Sequence, residues 1–530
     1  MKKYILLVLL FGLFACESDV LNKKALDEID EEIMWENIDL SRLYINYIYY
    51  NMPGSWDRYM DLSTEIGEGG HSWMVSNRIN TGNLTASNGP YGGSWSSSYG
   101  QIRRINTFFV NCNRIQGNSE DIKKLIGEAY FLRAFYYTEL VMLFGNVPLI
   151  KEPQSLNDDL LVSRAPFDDC INYIVENLDE AASRLPKEWD SDNVGRATAG
   201  AAQALKARIL LFAASKLNNP ANDRSKWEKV VAACEKVFEL NVYSLYPIYD
   251  ELFLKDNNEE VIFDVQYSYT IRNNDIDYNF NPQGFSGAYG SLRPTQEFID
   301  LYEMDNGLSI NNPSSGYDPQ NPYVGRDPRF YMSILYNGAP WRDKIIETFI
   351  DGLNGPGKNE QYGTSNSMTG YTIRKFLNEK NPIAYGIPKA EENWILIRFT
   401  EVLLNYAEAK LALGQEDDAR KILNQIRERS GMPEIPASEN GDALFKRYVN
   451  ERILELCFEN LYFFDVRRWM TASELLGKPV HKMEINKVGE NQFTYEIKVL
   501  EDRTWRDAFY WMPIPQSELN RNPNLSNIGY

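Results

Sequence analysis

The sequence predicts a mainly α-helical protein with minor β structure, in which long loops lie between blocks of helices. Several segments repeat apolar residues every three or four positions, which is the period of a helix. Three long stretches between these segments are instead rich in Gly, Asn, Ser, Tyr and Trp. Loops of this length are usually functional or disordered, and abundant aromatic residues argue against disorder. We therefore expect a helical frame that carries a loop-built binding surface.

The helices of the N-terminal half have readable ends. Residues 119–144 show a helical apolar period that stops at Gly145, with Pro148 just beyond. Residues 198–217 are alanine-rich and nearly apolar all round, so this second helix should be buried. A third helix is predicted to start with the capping box Ser225-Lys226-Trp227-Glu228 and to run to about residue 240.

The C-terminal half repeats the pattern. Residues 394–413 and 416–429 are predicted as two amphipathic helices, whose small residues resemble tetratricopeptide packing. In a further helix, residues 443–458, one face carries Arg452 and Glu455, with Glu459 just beyond, which we interpret as structural ion pairs. Strands are expected at residues 261–269 and in a hairpin that joins residues 482–486 to 493–499.

The N-terminus has the pattern of an export signal. A positive tip, Lys2-Lys3, precedes an apolar run over residues 5–14 that is too short for a stable membrane span. The run closes with Leu13-Phe14-Ala15-Cys16, the form of a bacterial lipobox. An ordinary secretory signal with an incidental cysteine is the alternative. We expect residues 1–15 to be removed and Cys16 to be lipidated.

The rest of the chain, residues 16–530, is predicted to be a single domain, with an N-terminal half over about residues 17–240 and a C-terminal half over about 241–530. Past Cys16 no apolar stretch approaches the roughly 18 residues of a spanning helix. The chain has 55 Lys and Arg against 74 Asp and Glu, a net charge of −19, which repels phosphate backbones and argues against a nucleic-acid partner. The other cysteines, which are widely spread, favour free thiols over a zinc site: Cys112, Cys170, Cys234 and Cys457.

Short blocks in order along the whole chain resemble the SusD/RagB family of nutrient-binding outer-membrane lipoproteins. The blocks include Trp95-Ser96-Ser97-Ser98-Tyr99-Gly100, Glu128-Ala129-Tyr130-Phe131-Leu132-Arg133-Ala134, Gly145-Asn146-Val147-Pro148-Leu149, Pro294-Thr295, Asp327-Pro328-Arg329-Phe330, Asn405-Tyr406-Ala407-Glu408-Ala409, Phe463-Phe464-Asp465-Val466-Arg467-Arg468-Trp469 and Pro513-Ile514-Pro515.

The resemblance implies a SusD-like fold with tetratricopeptide-like helix pairs and a loop-rich half that holds the ligand. It further implies a lipid anchor in the outer membrane beside a SusC-like TonB-dependent transporter, to which the protein delivers an oligosaccharide or sometimes a peptide. The helical face would contact the transporter. The acidic run Glu17-Ser18-Asp19 resembles the surface-export signal of such lipoproteins, which favours the cell exterior.

Aromatic rings in the three long loops, residues 67–100, 267–290 and 311–371, are the candidate contacts for a glycan. Sugars pack their C–H faces on rings and exchange hydrogen bonds with polar side chains. Tyr289 is favoured because family members often place a ligand-facing aromatic before the Pro294-Thr295 block. Trp95 could equally be a core residue, since its spacing to Tyr99 suits one face of a helix. The full set of candidates is Trp73, Arg78, Asn88, Tyr91, Trp95, Tyr289, Tyr336, Trp341 and Tyr362.

Two other kinds of site are open alternatives. A glycosidase needs two carboxylates, and Glu65 and Glu68 near the first loop are the nearest pair. His71 and His481 are the only histidines, neither lies in a hydrolase motif, and His71 could be a polar contact in the site. No cofactor is expected, although Asp318 and Asp327 with nearby Asn residues could hold structural calcium.

Overall fold

The computed structural model describes residues 31–54, 59–71, 74–268, 270–285, 287–357, 367–383 and 390–530. The predictions for Cys16, Trp73 and Tyr362 lie outside the described residues. Within these ranges, no helix combines the length and the apolar composition that crossing a membrane requires.

The N-terminal half is built from helices, and the five from α4 to α8 pack on one another in succession. The prediction for residues 119–144 is confirmed: α5 has these bounds, and the Asn118 side chain caps it by accepting a hydrogen bond from the Glu120 amide at 2.9 Å. The helices are α1 Glu31–Met34, α2 Ile38–Tyr50, α3 Ser76–Asn80, α4 Gly92–Asn111, α5 Ser119–Phe144, α6 Phe167–Ala182, α7 Ala199–Ala214 and α8 Arg224–Phe238.

The alanine-rich helix α7 is buried, as predicted. It begins one residue after Thr198, whose hydroxyl accepts a hydrogen bond from the Ala201 amide at 3.0 Å, and it ends at Ala214, three residues before the predicted end. The start predicted for α8 is wrong by two residues, since the capping box would place the cap at Ser225. Its cap is Asp223, whose carboxylate accepts from the Ser225 amide at 2.9 Å, so the helix begins at Arg224 before the expected capping box.

The strands of the described residues form antiparallel pairs, and all have two to five residues except β9 and β10, which have ten each. The predicted C-terminal hairpin is confirmed, with Thr494 opposite Asn486. The pairs are β1 Gly67–Gly69 with β3 Leu292–Pro294, β2 Val261–Val265 with β8 Trp394–Arg398, β4 Ile334–Leu335 with β7 Thr372–Ile373, β5 Pro340–Trp341 with β6 Lys344–Ile345, and β9 Val480–Gly489 with β10 Gln492–Glu501.

The C-terminal half corrects one helix prediction. The sequence predicts one helix over residues 394–413, but residues 394–398 form β8, and the helix starts at Phe399. A short apolar run fits a buried strand as well as a helix, and pairing with β2 decides between them. The helices are α9 Ile276–Phe280, α10 Gln296–Leu301, α11 Pro328–Ser333, α12 Phe399–Ala412, α13 Glu416–Arg429, α14 Asp442–Glu455, α15 Tyr462–Arg468, α16 Ala472–Leu475 and α17 Gln516–Arg521.

A buried ion-pair network joins the segments of the C-terminal half. Arg398 donates to Glu260 at 2.6 Å, to Glu455 at 3.0 Å and to Glu459 at 2.8 Å, and all four side chains are almost fully buried. Arg329 donates to Glu455 at 3.4 Å as well. Burial alone would raise the pKa of Glu455, but its guanidinium neighbours hold that pKa well below its usual value.

The charged face predicted on residues 443–458 therefore serves structural ion pairs, as interpreted from the sequence. It divides between two networks, because Arg452 points away from Glu455 and pairs with Asp465 at 2.8 Å. Asp465 also accepts from Arg468 at 2.8 Å, and Arg468 donates to Glu408 at 2.6 Å. Several of the sequence blocks that resemble the SusD/RagB family thus supply the buried ion pairs.

Candidate functional site

The first and second long loops meet along a short sheet. Glu68 on β1 lies opposite Arg293 on β3, and the Gly70 amide donates to the Ser291 carbonyl at 2.9 Å just past the paired residues. A Cβ atom on Gly70 would lie 2.4 Å from the Gly290 carbonyl oxygen, so only glycine permits this approach. Two segments more than 200 residues apart in sequence therefore form one surface.

Three rings gather beside this junction. The ring of Tyr289 lies 5.2 Å from that of His71 in an edge-to-face arrangement and 4.7 Å from the ring of Tyr278. The Tyr289 amide also donates to the Tyr278 carbonyl at 3.0 Å. His71 is buried, whereas both tyrosines are half-buried and present part of their surface to solvent. We name this group the loop ring cluster.

The charges beneath the loop ring cluster are tightly held. Burial, followed by the charge of Arg293, lowers the pKa of His71 to about 4, so its ring is neutral at neutral pH. Arg293 is 2% exposed, and its Nε donates to the Gly290 carbonyl at 3.1 Å. Burial raises the pKa of Glu68 to about 7, although the Arg293 guanidinium lies 3.9 Å from its carboxylate.

Trp341 does not belong to the exposed surface. Its ring is 1% exposed, and its indole N–H donates to the Asn281 side chain at 2.8 Å. Asn281 in turn accepts from the Gly290 amide at 3.0 Å through its carbonyl, next to Tyr289. The prediction that Trp341 stacks on a ligand does not fit this burial. We assign the ring a positioning role under the second loop instead.

Tyr91 and Trp95 are also corrected. Both lie at the start of α4 rather than in an extended loop, and they are 3% and 4% exposed. The Tyr91 ring packs 5.9 Å from Phe463, and the Trp95 ring packs 5.1 Å from Phe144. Neither ring offers a face to a ligand, so the core interpretation that was open for Trp95 holds for both.

Arg78 and Asn88 lie together at the surface, where Arg78 donates to the Asn88 carbonyl at 2.9 Å. The Asn88 side chain closes its own turn, since it accepts from the Thr85 amide at 2.7 Å and donates to the Asn83 carbonyl at 2.9 Å. Their contact with a ligand stays a prediction.

Tyr336 belongs to a second group of rings in the third loop. It stacks on Phe330 at 5.1 Å and lies 4.6 Å from Tyr323, which also packs against Tyr495 of the hairpin at 5.5 Å. Tyr336 and Tyr495 are half-buried, so part of this group faces solvent. A ligand contact at Tyr336 stays a prediction.

The carboxylates considered for other chemistry have protein partners. Asp327 pairs with Arg329 at 2.7 Å in the buried network and caps α11, and Asp318 accepts from the Gln320 amide at 2.9 Å in an exposed turn. Burial raises the pKa of Glu65, which accepts a hydrogen bond from the Tyr462 hydroxyl. Among the described residues, no three His, Cys, Asp or Glu side chains group as metal ligands.

Sequence reasoning missed Tyr278 in the loop ring cluster. This residue lies in the second aromatic loop, which was the available signal, but its place beside Tyr289 depends on how α9 folds back on the residues after it.

Family comparisons agree with the architecture. The model of a family described as the SusD family matches residues 259–530, and a second model, described as starch-binding associating with outer membrane, matches residues 30–211.

Individual proteins cover nearly the whole chain. SusD-like protein P2 of Formosa agariphila is 25% identical over 561 aligned positions, covering 100% of both chains. The crystal structure of a SusD-like protein of Bacteroides fragilis has a TM-score of 0.82 and 29% identity, over 96% of this chain and 100% of that one. A SusD-like carbohydrate binding protein of the same organism has a TM-score of 0.80 and 26% identity, over 93% and 100%.

Proposed function

The chain belongs to the SusD family, and from this premise we propose that it binds an extracellular oligosaccharide on the surface formed by its first two loops. The observation that carries the proposal is the loop ring cluster, where two half-buried tyrosines lie beside a neutral histidine on a fixed sheet junction. Half-buried aromatic rings suit packing against the apolar C–H faces of a sugar. The relative from Bacteroides fragilis that is described as carbohydrate binding supports this ligand class.

Delivery and location complete the proposal. A lipid on Cys16 anchors the protein in the outer membrane, facing the cell exterior, and the protein passes its sugar to a SusC-like TonB-dependent transporter. The family model that names association with the outer membrane supports this location. Transfer requires release, so we expect a dissociation constant of about 1 μM to 1 mM.

We propose binding without turnover. A glycosidase needs two carboxyl groups that flank the scissile glycosidic bond and are free to act as acid and as base or nucleophile. Glu65 instead accepts from Tyr462 in a buried setting, and Glu68 lies against Arg293. The contacts of Glu65 and Glu68 thus support a structural role for both carboxylates.

An array of neutral oligosaccharides and of peptides, probed with the purified protein, tests the proposal. We expect signals on one class of glycan and none on peptides. Incubation with that glycan should release no new reducing ends. Binding confined to peptides would transfer the proposal to the peptide-binding members of the family, and steady release of reducing ends would replace it with a glycosidase.

A further inference from the structure

A separate cleft of about 440 Å³ opens between the C-terminal end of α2, residues 192–196 and the start of the second loop. Its lining includes Tyr50, Tyr267 and Arg272, and it shares no residue with the loop ring cluster. The mechanism of binding proposed above makes no use of it.

Two cation–π contacts of one arginine line part of this cleft. The Arg272 guanidinium lies 5.7 Å from the centre of the Tyr50 ring and 5.2 Å from that of Tyr267, within the range of cation–π attraction. Its Nη2 donates to the Met52 carbonyl at 2.7 Å, which ties the second loop to the end of α2. Tyr50 is still 52% exposed, so much of its ring is available to a ligand.

Another part of the lining is polar and closely packed. A Cβ atom on Gly195 would lie 2.2 Å from the Gln266 side chain, and its φ of +87° also favours glycine, so this contact depends on glycine. Gln266 donates to Asp264 at 2.6 Å. Asp192 and Asn193 also line the cleft, which therefore offers amide and carboxylate groups as well as tyrosine rings.

We propose that this cleft is a second glycan subsite, which holds another stretch of the same neutral oligosaccharide; the inference rests on the proposed function. The cleft is lined by two aspartates, Asp192 and Asp264, and two arginines, Arg196 and Arg272, and Arg196 already pairs with Glu128 at 2.9 Å. No excess positive charge therefore attracts an acidic sugar, which favours a neutral one. Arg272 is six residues from Tyr278, which limits their Cα separation to about 20 Å. One extended chain can therefore reach both ring groups.

Calorimetric titration of Tyr50→Ala with short and long members of neutral α-glucan, β-glucan and β-mannan series tests the subsite. For the series that the wild-type protein binds, we expect the long chain to bind about five- to tenfold more weakly and the short chain to bind unchanged. Tyr50→Phe should retain wild-type affinity because it keeps the ring. Tyr47→Ala is the matched control: this tyrosine is 49% exposed on the same helix, lies under Arg104 and is outside the cleft.

Equal affinities of Tyr50→Ala and the wild-type protein for the long chain would overturn the subsite, and so would an equal loss in Tyr47→Ala. If the wild-type protein bound none of the three series, the glycan proposal itself would fail for these sugars and the subsite with it. A loss of binding in Tyr289→Ala alone would leave the proposed function intact and remove only the second subsite.

Discussion

Replacing Arg398 by Met should lower the free energy of unfolding by about 3–5 kcal/mol. The substitution keeps much of the side-chain volume but removes the cation that faces Glu260, Glu455 and Glu459. Those carboxylates would remain buried with fewer partners, and an uncompensated buried charge is more costly than the ion pair was favourable. Equilibrium denaturation with urea, followed by tryptophan fluorescence, measures the change.

Arg521→Met is the control for this experiment. Arg521 also pairs with a carboxylate, Glu518 at 3.0 Å, but its side chain is 76% exposed. An exposed pair of this kind contributes less than about 1 kcal/mol. If both variants unfolded within that small margin of the wild-type protein, the buried network would not be holding the C-terminal half together.

The second large effect is a pH dependence centred on Glu68. Its pKa is raised from 4.5 to about 7 in the folded protein, chiefly by burial. As the pH rises from 4.5 towards 7, the unfolded chain loses a proton that the folded chain keeps, so folding becomes less favourable. Between pH 4.5 and 7, the free energy of unfolding of the wild-type protein should therefore fall by about 3 kcal/mol because of Glu68. The variant Glu68→Gln cannot ionise at this position and should not show this loss.

Denaturation curves of both proteins at a series of pH values measure the difference. The difference in unfolding free energy between the two proteins should grow with pH up to about 7. It should stay constant above about pH 7, because Glu68 of the wild-type protein is then ionised in the folded and in the unfolded chain. Parallel stability profiles would mean that Arg293, 3.9 Å away, fully compensates the buried carboxylate.

The elements that sequence predicted best depend on local signals. Helix α5 has its apolar period, its cap at Asn118 and its stop at Gly145 within one continuous stretch, and the hairpin likewise pairs neighbouring segments. Residues 394–398 were misjudged because their partner, β2, lies more than 120 residues away, and only pairing makes them a strand.

The candidate site was harder to predict for the same reason. Composition identified the loops, but composition does not tell a ring that faces solvent from one that supports the loop. The buried ring of Trp341 has its indole N–H satisfied by Asn281, which lies 60 residues earlier in the sequence. Tyr289 lies beside His71 only because β1 and β3 pair and bring the two loops together.

Titration calorimetry of Tyr289→Ala against the oligosaccharide that the wild-type protein binds is the most direct test of glycan binding at the loop ring cluster. Removing the ring should weaken binding at least about tenfold, while Tyr289→Phe and the exposed control Tyr47→Ala should bind like the wild-type protein. Unchanged affinity in a folded Tyr289→Ala would contradict the placement of the sugar on this surface.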